Sequence, residues 1–144
     1  MKKVSKKNIE QQFNNQINLL NDIVKIKLRP SNIHGVGVFA IRDIKKDEKL
    51  YTDVIPHAFD LPYKMFNKLD KEVSELILNS WPNIYNGAHF LYPITKMTAF
   101  INHSEKPNYD INKDVALADI KSGDEITINY KLYKNSEKIF KWLK

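Results

Sequence analysis

Cysteine is absent from the 144 residues. That excludes disulfides, thiolate zinc sites and a cysteine nucleophile together, so the fold must hold by packing alone. Apolar runs of about 20 residues, the length a membrane span needs, are also missing. The lysine-bearing start MKKVSKKNIEQQF has no apolar stretch of the kind a signal peptide carries. An intracellular location, cytoplasmic or nuclear, is the default expectation, with a secreted effector as the other option, and no membrane partner is expected. Glycine is scarce, four in all, and two of the four stand one residue apart. Acidic residues are outnumbered, 17 against 23 Lys and Arg, for a formal net charge of +6. Such a charge suits an anionic partner, but the lysines gather at the two ends (Lys2, Lys3, Lys6 and Lys7, then Lys131, Lys134, Lys138, Lys141 and Lys144). Solvated lysine-rich ends explain this better than a stripe that tracks nucleic acid.

What is present suits one globular domain: 42% hydrophobic and 28% charged residues over a length that supports one core. Ile9, Phe13, Ile17 and Leu20 recur at steps of four and three, which predicts an amphipathic helix over 5–21. IVKIKL (23–28), VFAIRDI and LYTDVI read as strands, separated by the turn-forming RPSNIHGVG and the polar KKDEK. Tyr63, Phe66, Leu69, Val73, Leu76 and Ile77 return to helical spacing. AHFLY suits a short strand, ITKMTAFI a short helix, and NYDIN, VALADI and EITINY further short strands. The tail from 135 onward is expected to be helical. Strands and helices do not alternate regularly, which argues against a doubly wound parallel sheet. The predicted class is α+β, β-dominated, with a helical insert.

Three segments carry candidate chemistry. HGVGVFA (34–40) has the paired glycines Gly35 and Gly37, which let backbone approach a ligand or take positive φ. Taken alone it also reads as a hairpin turn, and it lacks the third glycine and following helix of a dinucleotide-binding loop. AFINHSEKPNYD (99–110) sets Asn102, His103 and Ser104 directly behind an apolar run. A lone histidine is more often a hydrogen-bonded structural residue than a ligand, and Asn102 and Pro107 also suit a helix cap and a turn. DIKSGDEITINY (119–130) turns at Gly123 into an alternating strand, with Ile126, Ile128 and Tyr130 on one face.

Together the three resemble the SET-domain protein-lysine methyltransferases. That family carries a GxG near its start, an NHSxxPN segment and a GEELxxxY strand near its end. This chain reads Gly35-Val36-Gly37, then Asn102-His103-Ser104 with Pro107-Asn108, then Gly123-Asp124-Glu125-Ile126 through Tyr130. The resemblance covers about 23–133, and the compact cysteine-free viral and bacterial members are similar in size. It implies a SET domain over 23–133 with a variable insert at about 56–90 and a closing segment at 134–144; residues 1–22, which carry the predicted helix, lie outside it as an N-terminal helical extension. It also implies several small sheets and a knot-like crossing in which the Asn-His segment passes under the chain bearing the late tyrosine. Polar groups behind an apolar lead-in fit that arrangement.

The activity implied is methyl transfer from S-adenosylmethionine to the side-chain amine of lysine in a protein, histone or non-histone, with no metal. An inactive SET-fold module that binds peptide or cofactor is the alternative. The acceptor amine has an ordinary pKa of about 10.4, so the neutral nucleophile is scarce at neutral pH. An apolar channel and an adjacent sulfonium both favour the neutral form, and in-line positioning does the rest. By position Tyr130 matches the catalytic tyrosine, with an orienting role rather than that of a base. His34, Gly35, Val36 and Gly37 match the cofactor loop, and Asn102 and His103 also match cofactor-binding positions. Glu125 matches a position more structural than catalytic. Ile128 falls where the family usually has Phe or Tyr and helps set the number of methyls, and lacking a hydroxyl it leans towards more than one addition. Tyr51, Tyr85 and Tyr92 are candidates for the lysine channel, with core packing as the other explanation. Phe140 and Trp142 either close the cofactor site or join Ile139 and Leu143 as one helix face on the core. Two departures stand out: Ala99 replaces the usual Arg, and no cysteine-zinc segment follows Tyr130. Oligomeric state is left open, a homodimer being one option.

Overall fold

The computed structural model describes residues 5–50, 58–80, 89–91 and 97–143. The chain forms two compact units. One contains Met1–Val24 and Thr52–Lys96, the other Lys25–Tyr51 and Met97–Lys144.

The first unit opens with helix α1, Lys6–Ile23, started by Ser5, whose hydroxyl accepts the Asn8 N–H at 3.3 Å. Its apolar stripe is buried only in the second half, at Ile17, Leu20 and Ile23, while Ile9 stays exposed. Ile23 was expected in a strand. It continues the stripe three residues after Leu20, and the Val24 N–H closes the last turn on the Leu20 carbonyl at 3.1 Å. The insert holds a 3-10 segment Tyr63–Lys68 and helix α2, Lys71–Ser80, as its spacing predicts. Leu61, Phe66, Leu69, Val73 and Ile77 are buried there. The Asp70 N–H donates to Asn21 Oδ1 at 2.9 Å, tying the start of α2 to α1. A two-stranded pair, Ala58–Asp60 with His89–Leu91, completes the described part of this unit.

The second unit contains most of the strands. A four-stranded sheet has Ile26–Pro30 (β1) at one edge, then Val36–Ala40 (β2), Glu125–Ile128 (β8) and Asn102–His103 (β5). The labels β3 and β4 belong to the pair above. Tyr109–Asp110 (β6) and Val115–Ala116 (β7) form a small antiparallel pair, and Ile44 bridges Ile120. Neighbours in the four-stranded sheet are antiparallel except β5 and β8, which run parallel with Asn102 opposite Thr127 and His103 opposite Ile128. The core beneath is aliphatic: Ile26, Val38, Ile44, Leu50, Ile101, Ile120, Ile126 and Ile128 are all nearly inaccessible. The architecture is the strand-rich α+β arrangement of small sheets that was expected, with helices in the insert.

Of the predicted helix at 94–101, positions 94–96 lie outside the described residues and Met97–Phe100 form a 3-10 turn; the tail holds one helical turn, α3, Ser136–Ile139. The predicted strand LYTDVI lies, after Leu50, outside the described residues. Among the described residues no helix is long and apolar enough to cross a membrane.

Candidate functional site

The site is built around one carboxylate. Ser31 begins the loop between β1 and β2, and its N–H donates to the Gly35 carbonyl at 2.8 Å. The Ser31 hydroxyl oxygen accepts the Ile33 N–H at 2.9 Å and donates its own proton to Glu125, 2.8 and 2.9 Å from the two oxygens. The two glycines serve different ends. Gly35 has φ +48°, where a side chain is strained, yet a Cβ there meets nothing within 4 Å. At Gly37 a Cβ would stand 2.2 Å from Glu125 Oε1 and 3.0 Å from Ser31 Cβ. Gly37 is needed for space, Gly35 for conformation.

Asn102 is buried beside this loop. Its amide nitrogen lies 3.0 Å from the His34 carbonyl, 3.2 Å from the Val36 carbonyl and 2.9 Å from Glu125 Oε1. Two hydrogens shared among three acceptors leave that nitrogen engaged by the chain itself. The apolar lead-in and the polar cluster thus have one cause: the segment enters the sheet beside β8, and its Asn102 side chain satisfies backbone groups, the carbonyls of the glycine loop. Asn108 does the same further on. Its amide donates to the Glu125 carbonyl at 2.8 Å and accepts the Thr127 N–H at 2.9 Å, so a side chain pairs with β8 as a neighbouring strand would. The Ser104 N–H donates to the Ile128 carbonyl at 3.0 Å.

Tyr130 follows β8 and is held at three points. Its N–H donates to His103 Nδ1 at 3.1 Å, and its hydroxyl donates to the Ile101 carbonyl at 2.6 Å. Its ring packs on Phe140, 4.8 Å between centroids, with His103 at 5.4 Å and Trp142 at 6.2 Å. Burial raises its phenol pKa above the ordinary value, as does the nearby Tyr133, so at neutral pH the group is a protonated phenol. Tyr133 is raised by burial as well.

These residues share a cavity of about 500 Å³ lined by Ile33, His34, Asn102, His103, Tyr130, Phe140 and Trp142. Five of the eight residues expected to bind a cofactor line it, together with Tyr130. Gly35, Val36 and Gly37 are not among its lining residues, although the Val36 carbonyl accepts from the Asn102 amide. The sequence reading passed over Ile33, whose only signal was its place next to His34. The tail residues do not form one helix face: Leu143 is 7% exposed, whereas Ile139 and Trp142 are 64% and 63% exposed. Leu143 anchors the tail, and Phe140 and Trp142 face the cavity.

Ile128 lines a smaller cavity of about 170 Å³ with Pro107, Tyr109, Ile111, Leu117, Leu132 and Tyr133, edged by Asp110 and Lys134. Tyr51, Tyr85 and Tyr92, the other channel candidates, lie outside the described residues. Among the described residues no group of three or more His, Asp or Glu side chains is placed to hold a metal ion.

The sequence model of the SET domain matches residues 35–131, about two thirds of the chain and all three segments. The chain belongs to the SET domain family. This is in general a family of protein-lysine methyltransferases. Solved structures similar to the chain include a candidate histone methyltransferase from Plasmodium falciparum (23% identity, 76% of this chain and 95% of that one, TM-score 0.39). They also include the Polycomb Repressive Complex 2 of Chaetomium thermophilum bound to GSK126 (17% identity, 82% of this chain and 17% of that one, TM-score 0.39). A humanized mutant of the Chaetomium complex bound to the inhibitor GSK343 is similar at 19% identity, over 81% of this chain and 16% of that one, TM-score 0.41. This SET domain spans about a sixth of the length of the Polycomb chains. Membership rests on the family match. No curated protein sequence matches the chain.

Proposed function

We propose that this SET domain transfers methyl groups from S-adenosylmethionine to the side-chain amine of lysine in a protein. One observation carries the reading: Ile33 and His34 of the glycine loop, the Asn-His segment, Tyr130 and the two tail aromatics, distant in sequence, border a single cavity. Its volume lies in the range of about 300–1,000 Å³ usual for small-molecule sites. Its lining suits such a cofactor: aromatic faces for a flat base and for a sulfonium cation, and the polar Asn102 and His103 on one wall. His34, Asn102 and His103 would hold the cofactor through polar and backbone groups, with Phe140 and Trp142 supplying aromatic contact. When bound, S-adenosylmethionine supplies an activated methyl group.

The chain's own residues orient and exclude water. Tyr130 donates its only proton to the Ile101 carbonyl, which leaves the oxygen's lone pairs as acceptors beside the cavity. With its pKa raised, Tyr130 is a poor general base and acts by position. Ile128 and the apolar wall of the smaller cavity would receive the aliphatic part of the substrate lysine and disfavour its ammonium form. Ile128 supplies no hydroxyl, which fits more than one methyl addition. The Asn102 amide nitrogen is already engaged by protein, so its contact with a cofactor falls to its other atoms.

Isothermal titration with S-adenosylmethionine tests the site, and transfer of labelled methyl to histone and non-histone proteins tests the activity. Binding with no transfer to any lysine would favour the inactive binding module, and absence of binding would remove both readings. Tyr130→Phe should keep cofactor affinity and lose about tenfold or more in turnover, at 1.4 kcal/mol of barrier per tenfold.

A further inference from the structure

The loop between Ser104 and Pro107 carries a side chain that neither the fold nor the cavity lining requires. Glu105 is exposed, and its Oε1 stands 3.3 Å from His103 Nε2 and 2.7 Å from Lys131 Nζ. His103 itself is nearly buried, with a side chain 10% exposed. Its other nitrogen, Nδ1, accepts the Tyr130 N–H. An imidazole nitrogen that accepts an N–H carries no proton, so in neutral His103 the proton sits on Nε2 and points at Glu105. Lys131 directly follows Tyr130, so the two contacts brace the same pair of segments twice: His103 to Tyr130 through backbone, Glu105 to Lys131 through charge.

We infer that Glu105, steadied by Lys131, is a positioning residue for methyl transfer, holding the His103 ring so that Nδ1 fixes the backbone of Tyr130 and thereby the phenol at the cavity. The inference rests on the methyl-transfer reading above and deepens it. Glu105 does not line the cavity and reaches Tyr130 indirectly, through the His103 ring and through the neighbouring Lys131. The bonds from Lys131 and His103 also lower its carboxyl pKa below the ordinary value, so it is an anion wherever the enzyme would work. A neutral glutamine can still accept from Nε2, whereas alanine cannot.

The test compares Glu105→Ala, Glu105→Gln and a control elsewhere in the same unit, Asp43→Asn, whose carboxylate pairs with Lys121 at 3.3 Å. Glu105→Ala should lower kcat about two- to tenfold, the worth of one hydrogen bond, with the KM for S-adenosylmethionine and the Tm unchanged. Glu105→Gln should recover most of the loss, and Asp43→Asn should leave turnover alone. The ring ¹⁵N shifts of His103 should report an Nε2–H tautomer in the wild type and move in Glu105→Ala. An unchanged kcat in Glu105→Ala, or a loss that follows Tm, overturns the inference. Should the wild type show no turnover at all, the methyl-transfer reading fails instead. The ¹⁵N spectrum then decides the positioning role by itself: identical His103 shifts in wild type and Glu105→Ala would overturn it.

Discussion

Gly37→Ala puts the carboxylate-centred design of the site to a quantitative test. A methyl group at Gly37 would lie 2.2 Å from Glu125 Oε1 and 2.8 Å from its Cδ, so the carboxylate must leave. Leaving breaks two charge-assisted hydrogen bonds, from the Ser31 hydroxyl and the Asn102 amide. At the low end of the range for such bonds, suited to a half-buried group, each contributes roughly 1.5 kcal/mol, or about 3 kcal/mol together. The lower backbone entropy of alanine in the unfolded chain offsets about 0.5 kcal/mol, leaving a net loss of about 2.5 kcal/mol. Gly35→Ala meets no atom but takes a positive φ, for about 1 kcal/mol. The glycine with ordinary φ should therefore be the costlier one to replace. Urea unfolding of Gly37→Ala, Glu125→Ala and the double variant gives the coupling directly. With Glu125 already gone, Gly37→Ala should cost less than about 0.5 kcal/mol. A strictly additive double variant would refute the steric explanation, because the cost at Gly37 would then arise from something other than that carboxylate.

Four further outcomes are expected. Asn108→Ala removes both side-chain bonds to β8 and should cost about 1–3 kcal/mol, with amide exchange at Thr127 faster than at Ile126; equal protection of the two amides would argue against it. Glu48→Ala strips the buried Lys25 ammonium of a partner at 2.9 Å, leaving the Lys49 carbonyl, and should cost about 2 kcal/mol, under the 3–5 of a fully buried pair because Glu48 is partly exposed. Tyr130 and Tyr133 have raised pKa values in the folded chain, so their contribution is present below the unfolded value of about 10 and lost as pH rises through the folded values. Unfolding measured across that window should show stability falling, and Tyr130→Phe should flatten the fall. Trp142→Ala should weaken S-adenosylmethionine binding about tenfold by calorimetry, the loss of one aromatic contact, with Tm nearly unchanged because the indole is largely exposed.

Much of the fold could be read from local pattern. The stripe Ile9, Phe13, Ile17 and Leu20 has the helical period and lies on α1, and Ile126 and Ile128 alternate with polar residues as a strand requires. Errors fell where long-range contacts override local preference. The tail was expected to be helical, but only Ser136–Ile139 forms a helical turn; Ser136 and Leu143 are buried, while Phe140 and Trp142 line the cavity. The motif letters pointed to the right segments, yet their individual roles were not legible. Asn102 read as a ligand-facing amide, and its nitrogen is occupied by the glycine loop and Glu125. Nothing in the local pattern marked Asn108 as a surrogate strand.

By itself the amino-acid sequence determined the absence of disulfide and thiolate chemistry, the helix periods, the strand alternation and the three motifs that mark a SET domain. Only the tertiary structure decided that Ser31 meets Glu125 across 94 positions and that Asn102 reaches the His34 carbonyl across 68. It alone decided that the second glycine answers to a carboxylate rather than to a turn. The physical reason is that hydropathy period and turn chemistry act over a few residues along the chain. Hydrogen-bond partners and close contacts depend on where the whole path brings two segments, and no short window of residues contains that information.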